Sequence, residues 1–362
     1  MKLEEYFEKY CLIPALSGHE ELMIRELVCD LKEFVDEVWT DNAGNVISLI
    51  RGESEKAPKV MVFAHTDQVG MIVKSITNDG FLRLVRLGGV PERVLAGATI
   101  QIMTKSGKAI NGVIGTISHH LTPDEKKYFV PKIEDMYVDI GSTSRANTLS
   151  LGVSVGSPAF YEPKFTKLAN NRIAATSVDD RGGCAVLVKL AEHLSSQKSH
   201  ANIYLVGSVQ EEFNLRGALV AAQQIKPNAA ISLDLVVSAD TPDMQNVNEV
   251  TLDGGPIVGL YSFHGRGTLN GLIPHPKMLE IVENAADRLK IKLQRHATVG
   301  MLTDASYVQF VEDGVPCVDL GWPTRYTHTG IETCSINDLH KLEELVFELL
   351  LHFPSNFTGL RV

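Results

Sequence analysis

Four apolar runs of strand length, each leading to an acid or a histidine, constrain this chain more than any other feature. "VMVFA" runs into His65 and Asp67, "IYLVGSVQ" into Glu211 and Glu212, "AAISLD" closes on Asp234, and "VPCVDLGW" lies a few residues before His328. Short apolar runs bounded by turn residues read as strands. The stretches between them, near 181–195, 214–225, 276–290 and 304–312, read as helices. That alternation predicts helices on both faces of a mostly parallel sheet, a three-layer α/β/α domain. Ligands of such sheets bind outside the carboxyl ends of the strands, so the polar clusters are expected to face one crevice.

Between residues 70 and 166 the texture changes. "FLRLVRLGG", "ATIQIMT", "AINGVIGTI", "MYVDIG" and "LSLGVSVGS" are short strands punctuated by Gly, with no helical stretch among them. A small β domain, 70–166, is therefore expected as an insertion into a discontinuous catalytic domain, 1–69 and 167–362. The 362 residues exceed the roughly 100 to 200 usual for one domain, which leaves room for both. The insertion offers no candidate ligand, so its deletion is expected to leave metal binding intact. In "SGHEELMIRELVCDLKEF", Ser17 stands three residues before Glu20, a capping-box pattern, and apolar residues recur at Ile24, Leu27, Val28, Leu31 and Phe34. An amphipathic helix capped by Ser17 is the expectation there.

Charge and cysteine usage narrow the function classes. A net charge of -10 without a basic cluster argues against a nucleic-acid partner, because Lys and Arg must neutralise phosphates. The five cysteines contain no CxxC pair, so neither a disulfide framework nor a thiolate zinc site is suggested. The N-terminus places acids where a signal peptide needs a basic and then an apolar stretch, and no apolar run reaches the roughly 18 residues of a membrane span. A soluble, cytoplasmic protein without a membrane partner is expected.

Two histidines, several carboxylates and no cysteine make a nitrogen and oxygen donor set suited to Zn²⁺, Co²⁺ or Mn²⁺. Taken singly, the clusters have ordinary readings. A histidine beside a carboxylate is usually a satisfied loop pair, acids favour the first turn of helices, and "DDRGG" can simply cap one. Asp234 resists such a reading, because an unpaired carboxylate in an apolar strand carries a large desolvation cost that metal coordination would offset. His119, His120, His264 and His275 lie in polar or Gly/Pro-rich loops and are assigned no role.

The series "AHTDQVG", "SVDDRGG", "VQEEFNLRGA", "SLDL", "TDASYVQ" and "TRYTHTGIE", in this order over nearly the full chain, resembles the glutamyl and deblocking aminopeptidases that assemble as tetrahedral dodecamers. Members of that family carry a co-catalytic, two-metal, phosphorylase/hydrolase-like α/β domain interrupted by a PDZ-like β domain. The resemblance implies His65, Asp179, Glu212, Asp234 and His328 as ligands of two divalent ions, with Asp179 bridging them. It also implies Glu211 as catalytic base, Asp67 as the acid that orients His65, and a cis peptide between Asp179 and Asp180. The expected activity is a metallo-aminopeptidase acting on short peptides, with the inserted domain joining subunits into dimers and these into a homododecamer. "HTG" stands where "HS" is common and "VGMLTDAS" replaces the usual "GGTDA" run; both departures bear on substrate rather than on metal binding. A related metal-dependent amidohydrolase or deacylase is the first alternative. A non-enzymatic scaffold on the same fold is the second, though a retired site has no reason to keep buried charges. The motifs leave the preferred N-terminal residue open.

Overall fold

The strand Lys59–His65 shows how the larger unit is built. In this computed structural model, which describes residues 1–245, 247–264 and 271–361, its side chains alternate between two cores. Val60, Val62 and Ala64 pack with the helices Leu3–Cys11, Glu21–Leu31, Val178–Leu194, Pro276–Leu289 and Ile336–Leu351. Met61 and Phe63 pack with Gly217–Ile225 and Ala305–Val308 on the opposite face. A strand covered on both faces needs apolar residues at every position, which is why the run is continuous rather than alternating.

The sheet runs in the order Glu37–Thr40, Val46–Ile50, Asn202–Ser208, Lys59–His65, Ala229–Val237, Cys317–Arg325, Glu332–Ser335, Arg172–Ala175, Phe165–Lys167. Ile257–Phe263 also pairs with Cys317–Arg325, and Gln294–Val299 pairs with Ile257–Phe263. The four central strands, Asn202–Ser208 through Cys317–Arg325, are mutually parallel. Their carboxyl ends therefore emerge together, bringing His65, the segment after Ser208, Asp234 and the turn before His328 to one edge. The helix Val178–Leu194 lies close under that edge because Gly182 and Gly183 lack side chains. A Cβ on Gly182 would sit 2.6 Å from Trp322 Cζ2, and one on Gly183 would sit 2.5 Å from Asp180 Oδ1.

The chain between the strands Lys59–His65 and Phe165–Lys167 forms a closed barrel with its own apolar core. Its strands follow one another around the wall as Gly70–Ile76, Leu82–Leu87, Val138–Asp139, Ala109–Ile114, Thr99–Met103 and Pro158–Tyr161. Contrary to the expectation of an all-strand segment, it also holds a short helix, Arg145–Ser150, capped by Ser144 Oγ accepting from the Asn147 N–H at 3.1 Å. Among the described residues no helix is long and apolar enough to cross a membrane.

The N-terminal region departs further from its sequence reading. A first helix, Leu3–Cys11, has no counterpart in the expected elements. The second begins at Glu21, and Ser17 does not cap it. Ser17 Oγ instead donates to Asp67 Oδ2 at 2.5 Å, and Glu20 Oε1 accepts from the backbone of Gly18 at 2.7 Å and of Gln210 at 3.2 Å. A capping-box pattern records only that a hydroxyl and a carboxylate are three residues apart; here tertiary partners take both.

Candidate active site

Asp179 is the hinge of the polar cluster at the sheet's carboxyl edge. Its Oδ1 lies 2.8 Å from His65 Nε2, and its Oδ2 lies 3.3 Å from His328 Nε2, which is also 3.4 Å from Glu212 Oε1. His65, Asp179 and Asp234 offer donor atoms that all fall within 4.8 Å of one another, and so do Asp179, Glu212 and His328. The two groups share Asp179. Glu211 belongs to neither, and its Oε2 lies 4.0 Å from His65 Nε2. The peptide between Asp179 and Asp180 is cis.

Both histidines are held the same way. His65 Nδ1 faces the Asp67 carbonyl at 3.2 Å, and His328 Nδ1 faces the Gly89 carbonyl at 3.2 Å. A carbonyl only accepts, so each Nδ1 carries a proton; each Nε2 faces Asp179, donating to it while the ring is protonated and offering a lone pair to a cation once that second proton is lost. The acceptor for His328 comes from the barrel, which thus reaches the site through its backbone. Removing the barrel would also remove the atom that fixes this ring.

Asp67 does more than face His65. Its carboxylate is 3.5 Å from His65 Nδ1, farther than its own carbonyl. It accepts from Ser17 Oγ and from the backbone N–H groups of Glu211 and Glu212, both at 3.0 Å. A fully buried acid thereby ties the loop bearing both glutamates to the strand bearing His65.

Three supporting residues escaped the sequence reading. Arg181, completely buried, donates to the Thr66 carbonyl and to Ile13 O and Gln68 Oε1, each of the latter at 3.3 Å, clamping the turn between His65 and Asp67. Asp180 accepts from the His65 N–H at 2.9 Å. Glu332 accepts from the Asp179 N–H through Oε2 at 3.0 Å and from the His328 N–H through Oε1. Asp180, Arg181 and Glu332 all lie inside quoted motifs, "SVDDRGG" and "TRYTHTGIE", but apart from Gln68 the partners named here are backbone groups that no side-chain pattern displays.

The electrostatics show an excess of negative charge. Burial drives Asp180, Glu211 and Asp234 well above the ordinary carboxylate range, with neighbouring carboxylates adding to it against the pull of His65. Burial and the nearby Asp179 also push Glu212 up to about 7 and Glu332 up to about 8. Asp179 goes the other way, because hydrogen bonds from both histidines outweigh its burial. Despite their own burial, His65 is raised well above its usual value by Asp179 and Asp67, and His328 to about 10 by Glu212 and Asp179. Glu212 Oε1 is buried with no hydrogen-bond partner. A cluster of acids with two imidazoles, an orphaned carboxylate oxygen and no thiolate fits divalent cations, which would discharge the excess now met by protons.

Residues 44–345 match the model of the M42 glutamyl aminopeptidase family. The lysyl aminopeptidase of Pyrococcus furiosus is 34% identical over 98% of this chain and 99% of its own length. An aminopeptidase from the archaeon Desulfurococcus kamchatkensis, 31% identical, superposes with a TM-score of 0.89 over 96% of this chain and 94% of that one. The Pyrococcus horikoshii TET1 peptidase, described as able to assemble into a tetrahedron or a large octahedral shell, is 28% identical, with a TM-score of 0.85 over 98% of this chain and 100% of its own. With a family match across most of its length laid over a fold and a donor cluster of this kind, the chain belongs to the M42 aminopeptidases.

Proposed function

We propose that this protein removes single N-terminal residues from short peptides at a centre where His65, Asp179 and Asp234 hold one divalent ion and Asp179, Glu212 and His328 hold a second. The observation that carries this reading is the pair of donor groups sharing Asp179, with both imidazole Nε2 atoms freed for coordination by carbonyls at Nδ1. Zn²⁺, Co²⁺ and Mn²⁺ suit the donors. When bound, such ions polarise the scissile carbonyl and acidify the attacking water. Glu211, outside both ligand groups, takes that water's proton and delivers it to the departing amine. Asp67 keeps Glu211 and Glu212 in register by accepting from both backbone N–H groups.

The barrel supports self-association. Ile117, Leu121, Tyr128, Phe129 and Val130 are exposed on one of its loops, with Tyr128 at 97%. Apolar side chains gathered on a surface in this way mark contact sites. We assign the loop and barrel to a dimerisation domain, and the dimers to a homododecamer like the tetrahedral form of the TET1 peptidase. A hollow particle of that kind admits short peptides and excludes folded proteins. The cysteines are all free, which suits the reducing cytoplasm.

The test combines metal content with turnover. After loading with Co²⁺ or Zn²⁺, the protein should hydrolyse aminoacyl p-nitroanilides but not N-acetylated amino acids, and chelation should abolish turnover. Glu211→Gln should retain both ions while kcat falls by about 10² to 10⁴, the range for loss of a general base. Glu212→Gln should lose an ion. Equal metal content in the two variants by elemental analysis would reverse their assigned roles.

A further inference from the structure

Asp234 has a second environment besides the ligand cluster. On its far side it forms part of the wall of a narrow cleft of about 470 Å³, counting the space open to solvent, whose other walls include Leu235, Thr298, Met301, Asp319 and His296. The sheet register explains the arrangement. Asp234 lies beside Gly321 and Ser232 beside Asp319 across the parallel strands, and Gly259 pairs with His296 on the next strand. Gly259 leaves the floor open, because a Cβ there would come within 3.1 Å of Asp319 Cβ and 3.6 Å of Asp319 Oδ2.

Two polar groups in this cleft keep acceptor capacity to spare. Asp319 Oδ1 accepts from Thr303 Oγ1 at 2.8 Å, and no cation among the described residues pairs with the carboxylate. His296 is more than nine-tenths buried, yet neither ring nitrogen has a hydrogen-bond partner. Burial keeps that imidazole neutral, so it presents one acceptor nitrogen. Among the described residues of the lining, Asp234 and Asp319 are the acids, and no Lys or Arg joins them. Unpartnered buried acceptors are costly unless a donor is supplied, here from outside the chain.

The side chain of a peptide's first residue leaves the carbon next to the scissile carbonyl, so it must lodge in a cleft that adjoins the reacting centre. This cleft shares Asp234 with that centre. The smaller cleft against Asp179 and Glu212, about 210 Å³ with its space open to solvent, adds one further acid, Glu332, which is already engaged by two backbone N–H groups. Resting on the peptidase reading above, we infer that the Asp234–Asp319–His296 cleft receives the side chain of the N-terminal residue and selects a basic one, lysine or arginine, through Asp319 and His296. Leu235, Met301 and Thr298 would flank the aliphatic stem, while Asp319 and His296 accept from the cationic head. Among the described residues an acidic side chain finds two acids and no donor cation there.

Lysyl, norleucyl, arginyl and glutamyl p-nitroanilides test this on the metal-loaded enzyme, because norleucine keeps the lysine stem and lacks only the ammonium. The lysyl and arginyl substrates should exceed norleucyl in kcat/KM by roughly 10- to 100-fold, the scale of a charge-assisted hydrogen bond, with glutamyl slowest. Asp319→Asn should bring the lysyl-to-norleucyl ratio to about one, mainly through a raised lysyl KM. Competition by L-lysinamide against L-norleucinamide on the unmodified enzyme gives the same comparison without a substitution. A norleucyl or glutamyl preference would overturn the basic-residue pocket and leave the aminopeptidase standing. Turnover of none of the four would overturn both.

Discussion

The α/β unit and the barrel treat buried charge in opposite ways. At its carboxyl edge the sheet buries or half-buries Asp67, Asp179, Asp180, Glu211, Glu212, Asp234 and Glu332 around two histidines. The barrel buries Thr104, Thr148 and Ser157 as its polar residues and no charged one, and carries Tyr128 and Phe129 exposed on a loop. Buried acids are expensive wherever a fold keeps them, so their concentration in one place marks where stability gives way to chemistry. Exposed aromatic side chains invert the same rule at a surface and mark where stability waits on a neighbour. The division is not complete, because the Gly89 carbonyl carries the barrel into the site.

Three substitutions would break or sharpen this contrast. The largest effect is expected from Glu332→Gln, since the two N–H groups use separate carboxylate oxygens and the amide would replace one of these with an NH₂ that opposes its N–H. The backbone of Asp179 or of His328 would be released, lowering metal affinity or activity by about 10- to 100-fold, as read from a metal titration followed by rate measurement. An unchanged metal affinity would show that the acid is there for packing alone. Gly89→Ala tests the bridge between the two units. Its Cβ would lie 2.6 Å from His328 Nδ1, so the ring must shift, and a fall of about tenfold in kcat/KM with an unchanged melting temperature is expected. Full activity would return the barrel to a purely architectural role. The smallest effect on chemistry should come from Tyr128→Ser with Phe129→Ser, which leaves aminoacyl p-nitroanilide turnover within about twofold while light scattering reports particles smaller than a dodecamer. Retention of the full particle would place the subunit contacts elsewhere.

How far the sequence disclosed this molecule depends on which atoms carry each feature. The central strands were legible because burial on both faces demands an unbroken apolar run, as in "VMVFA" and "AAISL". His65, Asp234 and the Glu211–Glu212 pair stood out because polar side chains ended those runs, whereas Asp179 and the choice of Glu212 over Glu211 came from the family resemblance; the fold brings His65, Asp179, Glu212, Asp234 and His328 together. Ser17 was misread because its hydroxyl can serve a helix or a carboxylate equally well, and only the tertiary structure chooses Asp67. The helix Leu3–Cys11 was missed although its buried face, Leu3, Tyr6, Phe7, Tyr10 and Cys11, has helical spacing. Glu332 and Arg181 were quoted within motifs and left without roles, since their partners are peptide groups common to every sequence.

Gly89 has an implication for how such a protein can change over time. The atom that steadies His328 is a main-chain oxygen, and any amino acid would supply it, so no side chain advertises the dependence. What descent can record at this position is the refusal of bulk, a vacancy kept small for the sake of a ring some 240 residues away in the chain. An inserted module that began as a passenger would by that route have become indispensable. Exchanging it for another barrel would then require that the newcomer bring a bare peptide to the same spot.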